Sequence, residues 1–217
     1  MENNFIYLDN ASTTPLSENV LNIINSTYRD YWHNPSSTYQ PGIKCSTYLE
    51  KIRSNIANIF EAQAEDIIFT SGSSESTNIV FSNIYETFKN GRIVISNVEH
   101  QATNICANKL RKQNWDICEW TVNNDGILNI SNIEKTLTKE TNLASIIWGQ
   151  SEIGTIQPVQ FIGSKCEELN IMFHLDGTQI LSNGIFSWKD LKCDFLSLSA
   201  HKFGGPKGIG ILLTKEK

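Results

Sequence analysis

The chain is short of almost every signal that would settle its class at once. Its first residues carry no basic stretch followed by an apolar core, so a secretory leader is not expected. No apolar run approaches the roughly 20 residues that a membrane-spanning helix requires. Lys and Arg total 18 against 23 Asp and Glu, a net charge of −5, and no basic run stands out. That balance argues against nucleic acid or an anionic membrane as the main partner. The expected location is cytoplasmic. There are five cysteines, Cys45, Cys106, Cys118, Cys166 and Cys193. An odd number with no Cys-x-x-Cys pair suggests neither a disulfide framework nor a zinc site, and no metal is expected. They read as small buried hydrophobes. His-Glu-x-x-His, Gly-x-Ser-x-Gly and the Walker phosphate loop are all missing.

What is present is alternation. Residues 16–31 carry Leu16, Val20, Ile23, Ile24 and Tyr31 at helical spacing, and residues 43–60 place Tyr48, Leu49, Ile52, Ile56, Ile59 and Phe60 on one face. Short β-branched apolar runs follow at 66–70, 92–96, 143–148, 171–175, 195–198 and 209–214. Helical patterns at 74–89, 101–114 and 159–169 separate several of them. Near-continuous apolar strands imply cover on both faces, so a mainly parallel α/β sheet with helices on both sides is expected. The stretch Val122-Asn123-Asn124-Asp125-Gly126 reads as a turn.

The chemistry gathers just after these strands. Ser71-Gly72-Ser73-Ser74, Glu99-His100, Gln150-Ser151-Glu152, Asp176-Gly177-Thr178-Gln179 and Ser199-Ala200-His201-Lys202 each follow a predicted strand. Ligands of open α/β sheets bind outside the carboxyl ends of the strands, so five such clusters point to one rim. Small residues opening a helix at Gly72, Ser73 and Ser74 suit an anion, although a plain Ser cap explains them equally well. A carboxylate at Asp176 suits a protonated pyridine nitrogen or a structural cap. Lys202 is either a desolvated nucleophile or a surface lysine before glycines. His100 suits ring stacking, proton transfer or helix capping. His33 and His174 read as structural, with His174 expected to point away from the side of Asp176.

Taken in order, the segments 7–15, 34–37, 69–76, 99–100, 152–158, 174–179, 199–202 and 205–210 resemble the cysteine desulfurases. These lie in the class V aminotransferase-like group of fold type I pyridoxal-phosphate (PLP) enzymes. The resemblance implies the large domain of the PLP-dependent transferase fold, with residues 1–15 lining the active site and 16–217 forming the cofactor-binding domain. It implies Lys202 as the Schiff-base lysine that also moves the substrate α-proton, and Asp176 on the pyridine nitrogen. It implies Gln179 on the phenolic oxygen, and His100 stacked on the ring and aiding proton transfer. Gly72, Ser73, Ser74, Ser199 and His201 would hold the phosphate, and Asn34 would lie on the substrate side. Ser151 stands where the family usually has Asn, and its shorter side chain puts one cofactor contact in doubt. The family continues past the lysine motif into a small C-terminal domain that carries a nucleophilic cysteine and a carboxylate-binding arginine; this chain ends at Lys217 without them.

Three readings follow. The chain is part of a desulfurase that takes sulfur from L-cysteine, leaving alanine and a persulfide for iron–sulfur clusters or another acceptor. It would work as a homodimer or with a complementing C-terminal half. Alternatively it serves another class V reaction, an aminotransferase or β-lyase, or is a truncated non-catalytic partner.

Overall fold

The computed structural model describes residues 6–215. Readings that fall on residues 1–5, 216 and 217 lie outside them. Six helices and seven strands are named here in chain order. They are α1 (Glu18–Asp30), α2 (Gln40–Phe60), β1 (Ile67–Thr70), α3 (Ser73–Phe88), β2 (Arg92–Ser96), α4 (Gln101–Arg111) and β3 (Asp116–Trp120). Then come α5 (Ile133–Thr136), β4 (Thr141–Ile147), α6 (Val159–Leu169), β5 (Met172–Asp176), β6 (Phe195–Ser199) and β7 (Gly210–Thr214).

All seven strands form one sheet in the order β1-β7-β6-β5-β4-β2-β3. Only β7 runs against its neighbours, pairing antiparallel with both β1 and β6. The expected mainly parallel sheet is therefore present. Its two faces are both covered. Ile93, Ile95, Leu143 and Leu212 pack with Val80, Phe81 and Ile84 of α3 and with Cys106, Ala107 and Leu110 of α4. On the opposite face Val94, Ala144, Ile146, Phe173, Leu175, Leu196 and Leu198 meet Ala57 and Phe60 of α2 and Val159, Ile162 and Cys166 of α6. Double cover is why these strands read as unbroken apolar runs.

Two elements differ from the sequence reading. β3 was not expected. It is an edge strand, paired only with β2 and reading Asp-Ile-Cys-Glu-Trp, so charged residues interrupt the apolar run that marks a central strand. Helix α1 forms where its spacing predicts, with Ser17 Oγ accepting from Val20 N–H at its start. Its apolar stripe does not enter the core, because none of its residues is buried. Ile23 is 59% exposed and Tyr28 77%. In α2 the inner end packs at Ala57 and Phe60, while Leu49 and Ile59 remain exposed.

The expected turn at 122–126 closes a hairpin-like loop. Asn123 Oδ1 accepts from the N–H groups of Asp125 and Ile127, and Gly126 takes the positive φ of +75°. All five cysteines are free thiols, and all but Cys118 are buried. No described helix is long and apolar enough to cross a membrane.

Candidate functional site

The carboxyl ends of β1, β2, β4, β5 and β6 open on one cavity of about 680 Å³. Gly72, Ser73, Ser74, His100, Ser151, Asp176, Gln179, Ser199, His201 and Lys202 all line it, together with Asp9, Ala11 and Ser12. Residues separated by up to about 190 positions thus meet because parallel strands bring all their carboxyl ends to the same edge.

One wall is the start of α3. Gly72 caps this helix without a side-chain hydrogen bond and holds φ at +154°, a backbone state reserved for glycine. The serine cap considered from sequence is therefore not what ends the helix. Ser199, at the end of β6, reaches across: its Oγ accepts from Ser73 N–H at 2.8 Å and lies 3.2 Å from Ser73 Oγ. β7 passes so close behind that a Cβ on Gly210 would stand 2.5 Å from Gly72 Cα. The glycine pair permits a helix terminus, two serines and His201 to line one pole of the cavity. Such a terminus lined by serine hydroxyls suits a phosphate.

The floor belongs to Asp176, 4% exposed at the end of β5. Its Oδ1 accepts from the N–H and the hydroxyl of Thr178, two residues on. One carboxylate oxygen is therefore held by the chain. Thr178 lies within the 174–179 motif, and an acid followed two residues later by Thr is a readable local hydrogen-bonding signal.

Lys202 is half-buried on the third side. Burial lowers its amine below the ordinary lysine range, opposed by the charges of Asp176 and Asp9. Its Nζ donates to the carbonyls of Ala11 at 2.6 Å and Ser12 at 2.9 Å. Gln179 Nε2 donates to the same Ala11 carbonyl at 2.7 Å. Residues 9–14 form a strap that is pinned to the lysine loop. Thr14 N–H and hydroxyl both donate to the His201 carbonyl, and Gly204 N–H donates to Thr14 Oγ1. Burial, then the neighbouring Lys202 and Lys207, keep His201 below the usual imidazole range. It stands 3.1 Å from Thr13 Oγ1 through Nδ1.

His100 caps α4, its Nδ1 accepting from Ala102 N–H at 3.2 Å, which leaves the ring proton on Nε2 when the imidazole is neutral. The capping reading of this residue is seen directly, and the ring also lines the cavity. Ser151 sits on a turn shaped by Gln150, whose Oε1 accepts from the N–H groups of Glu152 and Ile153.

Two expectations are revised. Asn34 does not line the cavity; its Oδ1 folds back on Ser36 N–H at 2.9 Å. His174 points to the same face as Asp176, not away from it, since residues two apart on a strand share a face. It is fully buried between Ser145 Oγ and Ser197 Oγ, each at 2.8 Å. Burial holds its pKa down to about 4, with Asp176 pulling the other way.

A cavity with a desolvated lysine, an acid at the floor and an anion pole at a helix start is mirrored in the comparisons. The aminotransferase class-V family matches residues 6–217. The chain belongs to that family. It is 36% identical over 213 residues to the cysteine desulfurase IscS of Dictyoglomus turgidum, covering 97% of this chain and 54% of that protein. With the mitochondrial cysteine desulfurase of Eremothecium gossypii it shares 33% identity over 215 residues, or 98% of this chain and 44% of the relative. A solved NifS-like protein superposes with a TM-score of 0.94 at 32% identity, covering 97% of this chain and 59% of the other. SspA in complex with cysteine gives 0.92 at 30% identity, over 97% and 61%. The chain thus spans about half the length of these class V relatives.

Class V proteins of this kind depend on PLP, and the described residues fit it. The α3 start with Ser73, Ser74, Ser199 and His201 would take the phosphate. The Asp176 oxygen not engaged by Thr178 would take the ring nitrogen, Gln179 the phenolic oxygen, His100 the ring face and Lys202 the aldehyde carbon. The bound group supplies an electron sink for charge developing on a substrate carbon. Lys202 would supply the amine that holds the group and would be placed to carry a proton. Asp176 would favour a proton on the ring nitrogen by lying against it.

Proposed function

We propose that this chain is the cofactor-binding part of a cysteine desulfurase that converts L-cysteine to alanine and leaves the sulfur as a persulfide. The observation that carries it is Lys202 in the cavity with Asp176 and Gln179, opposite the α3 start, in a class V chain similar to desulfurases. In this reading Lys202 moves the α-proton of the bound amino acid, and His100 over the ring assists.

The sulfur-attacking thiolate is not supplied by the described residues. None of the five cysteines lines the cavity, and burial pushes the Cys106 and Cys193 thiols up, away from the reactive thiolate form. In this reading a part of the working protein other than the described residues provides it. We propose further that the working protein is a homodimer or a complex with a complementing C-terminal half, that it passes sulfur to an acceptor protein, and that it acts in the cytoplasm. The same absence of a thiol in the cavity favours two alternatives, another class V reaction or a non-catalytic partner.

The test is a visible absorption spectrum of the full chain with added PLP, wild type against Lys202→Ala. A band that the substitution abolishes supports the cofactor site. No band, or one that survives the substitution, removes Lys202 from its role. Alanine release from L-cysteine on mixing with a complementing half then separates desulfurase from the two alternatives.

A further inference from the structure

Glu99, at the end of the loop that joins β2 to α4, has a carboxyl for which the cofactor reading offers no task. The residue is buried. Its Oε1 accepts from Ser96 Oγ at 2.5 Å and from Ile147 N–H at 2.7 Å. Its Oε2 is buried with no hydrogen-bond partner. Ile147 ends β4, lines the cavity and pairs in register with Asp176. The carboxyl thus spans from the β2 side of the sheet to the strand next to Asp176. Its own backbone continues directly into His100, the cap of α4, and its carbonyl accepts from Asn104 Nδ2 within that helix.

An ionised carboxylate with a bare oxygen in this interior would be costly, whereas a carboxylic acid is far less so. Burial is the largest influence and pushes the pKa up to about 8; the two hydrogen bonds oppose it, and the charge of Asp176 adds to the rise. The charged group that bears on Glu99 from β5 is Asp176. His174, facing Asp176 from the same strand, is held neutral by burial and brings no countercharge.

We propose that Glu99 is a positioning residue of the cofactor site: its carboxyl, protonated at neutral pH, braces the His100 loop against β4 and leaves Asp176 as the negative charge on the cavity floor. This rests on the cofactor reading above. A neutral brace fits donors that meet one oxygen from both sides while the other has no partner, because an unpartnered oxygen costs less in a neutral acid than in a buried carboxylate. It also explains why an acid is tolerated one strand away from Asp176.

The experiment uses the full chain with PLP and the variants Glu99→Gln and Glu99→Ala, with Lys202→Ala as control. Infrared spectra of wild type against Glu99→Gln at pH 7 are expected to show a protonated-carboxyl stretch that the variant lacks and that fades as the pH passes about 8. Glu99→Gln, which keeps the accepting oxygen, is expected to bind PLP as tightly as the wild type. Glu99→Ala is expected to bind it roughly tenfold more weakly, the scale of losing a buried hydrogen-bonded brace. A carboxylate stretch at pH 7 overturns the proposal, and this arm needs neither variant to bind cofactor. So does equal weakening by Gln and Ala, which would mean that charge is required, or an Ala variant that binds like the wild type. A wild type with no Lys202-dependent band overturns the cofactor reading, and this inference with it. A normal wild-type band with the variants out of order overturns this inference alone.

Discussion

The stability of Glu99→Gln relative to the wild type should rise with pH. The ordinary carboxyl value is 4.5, and in the folded chain burial raises it to about 8. Below 4.5 folded and unfolded chains both carry the proton, so the group contributes nothing. Above 4.5 the unfolded chain releases it and the folded chain keeps it, so rising pH draws the equilibrium toward unfolding. Each pH unit costs about 1.4 kcal/mol, until the folded carboxyl itself ionises near 8 and the cost levels off. At pH 7 the accumulated penalty is about 3 kcal/mol, a large share of a typical domain's stability. Glutamine keeps the oxygen that faces Ser96 and Ile147 and never titrates, so the variant escapes the pH-dependent penalty, against a pH-independent cost for its amide N–H groups at the unpartnered Oε2 position. Urea unfolding at pH 5, 6, 7 and 8 measures it, with the buried Trp115, Trp120 and Trp188 as fluorescence probes. The stability of the variant relative to the wild type should climb steadily from pH 5 to pH 8. A difference that stays flat across that range would refute the reasoning, because it would mean that Glu99 gives up its proton as readily folded as unfolded.

Other substitutions probe the remaining supports. His174 has a folded pKa of about 4 against an ordinary 6.5, so below 6.5 the unfolded chain binds a proton that the folded chain refuses. Stability should fall by up to about 3 kcal/mol between pH 6.5 and 4, and His174→Gln should remove that acid-side slope in the same unfolding assay. Gly210→Ala would place a Cβ 2.5 Å from Gly72 Cα and 2.7 Å from the Leu198 carbonyl. Both are backbone atoms, so a cost of about 1–3 kcal/mol in thermal unfolding is expected, with weaker PLP binding as Gly72 is displaced. Thr178→Val removes the hydroxyl that donates to Asp176 Oδ1 while keeping the N–H, and should weaken PLP binding roughly tenfold with little change in melting temperature.

The central strands and the helices over them were readable because both faces are buried, which leaves an apolar run that no polar residue interrupts. β3 escaped because an edge strand needs cover less completely, and Asp116 and Glu119 stand in its run. Its Asp116 pairs with Arg92 of the neighbouring strand at 3.0 Å, a contact that spacing along one strand cannot reveal. The rim residues were readable for a topological reason: parallel strands repeat the same end, so polar clusters after successive strands must converge. The direction of His174 was misjudged although the period-two rule alone suffices to place it with Asp176. Glu99 is the opposite case. Its place beside His100 is evident in the sequence, but its role depends on a hydrogen bond to Ile147, 48 residues away, and on an oxygen left without a partner.

Helix α1 shows how local and tertiary information separate. Its cap and its apolar spacing are enough to make it a helix, yet its stripe buries nothing, so the sheet core closes without it. The strap just before it behaves differently, since Ala11 and Ser12 hold Lys202 and Thr14 holds the lysine loop. Acid, lysine and helix start line one cavity among the described residues. The thiolate that the proposed desulfurase reading requires is not among the residues that line it. That reading therefore makes cofactor binding and sulfur capture separable steps. A chain that shows the Lys202-dependent band yet releases no alanine from L-cysteine until a thiol-bearing half is added would display that separation directly.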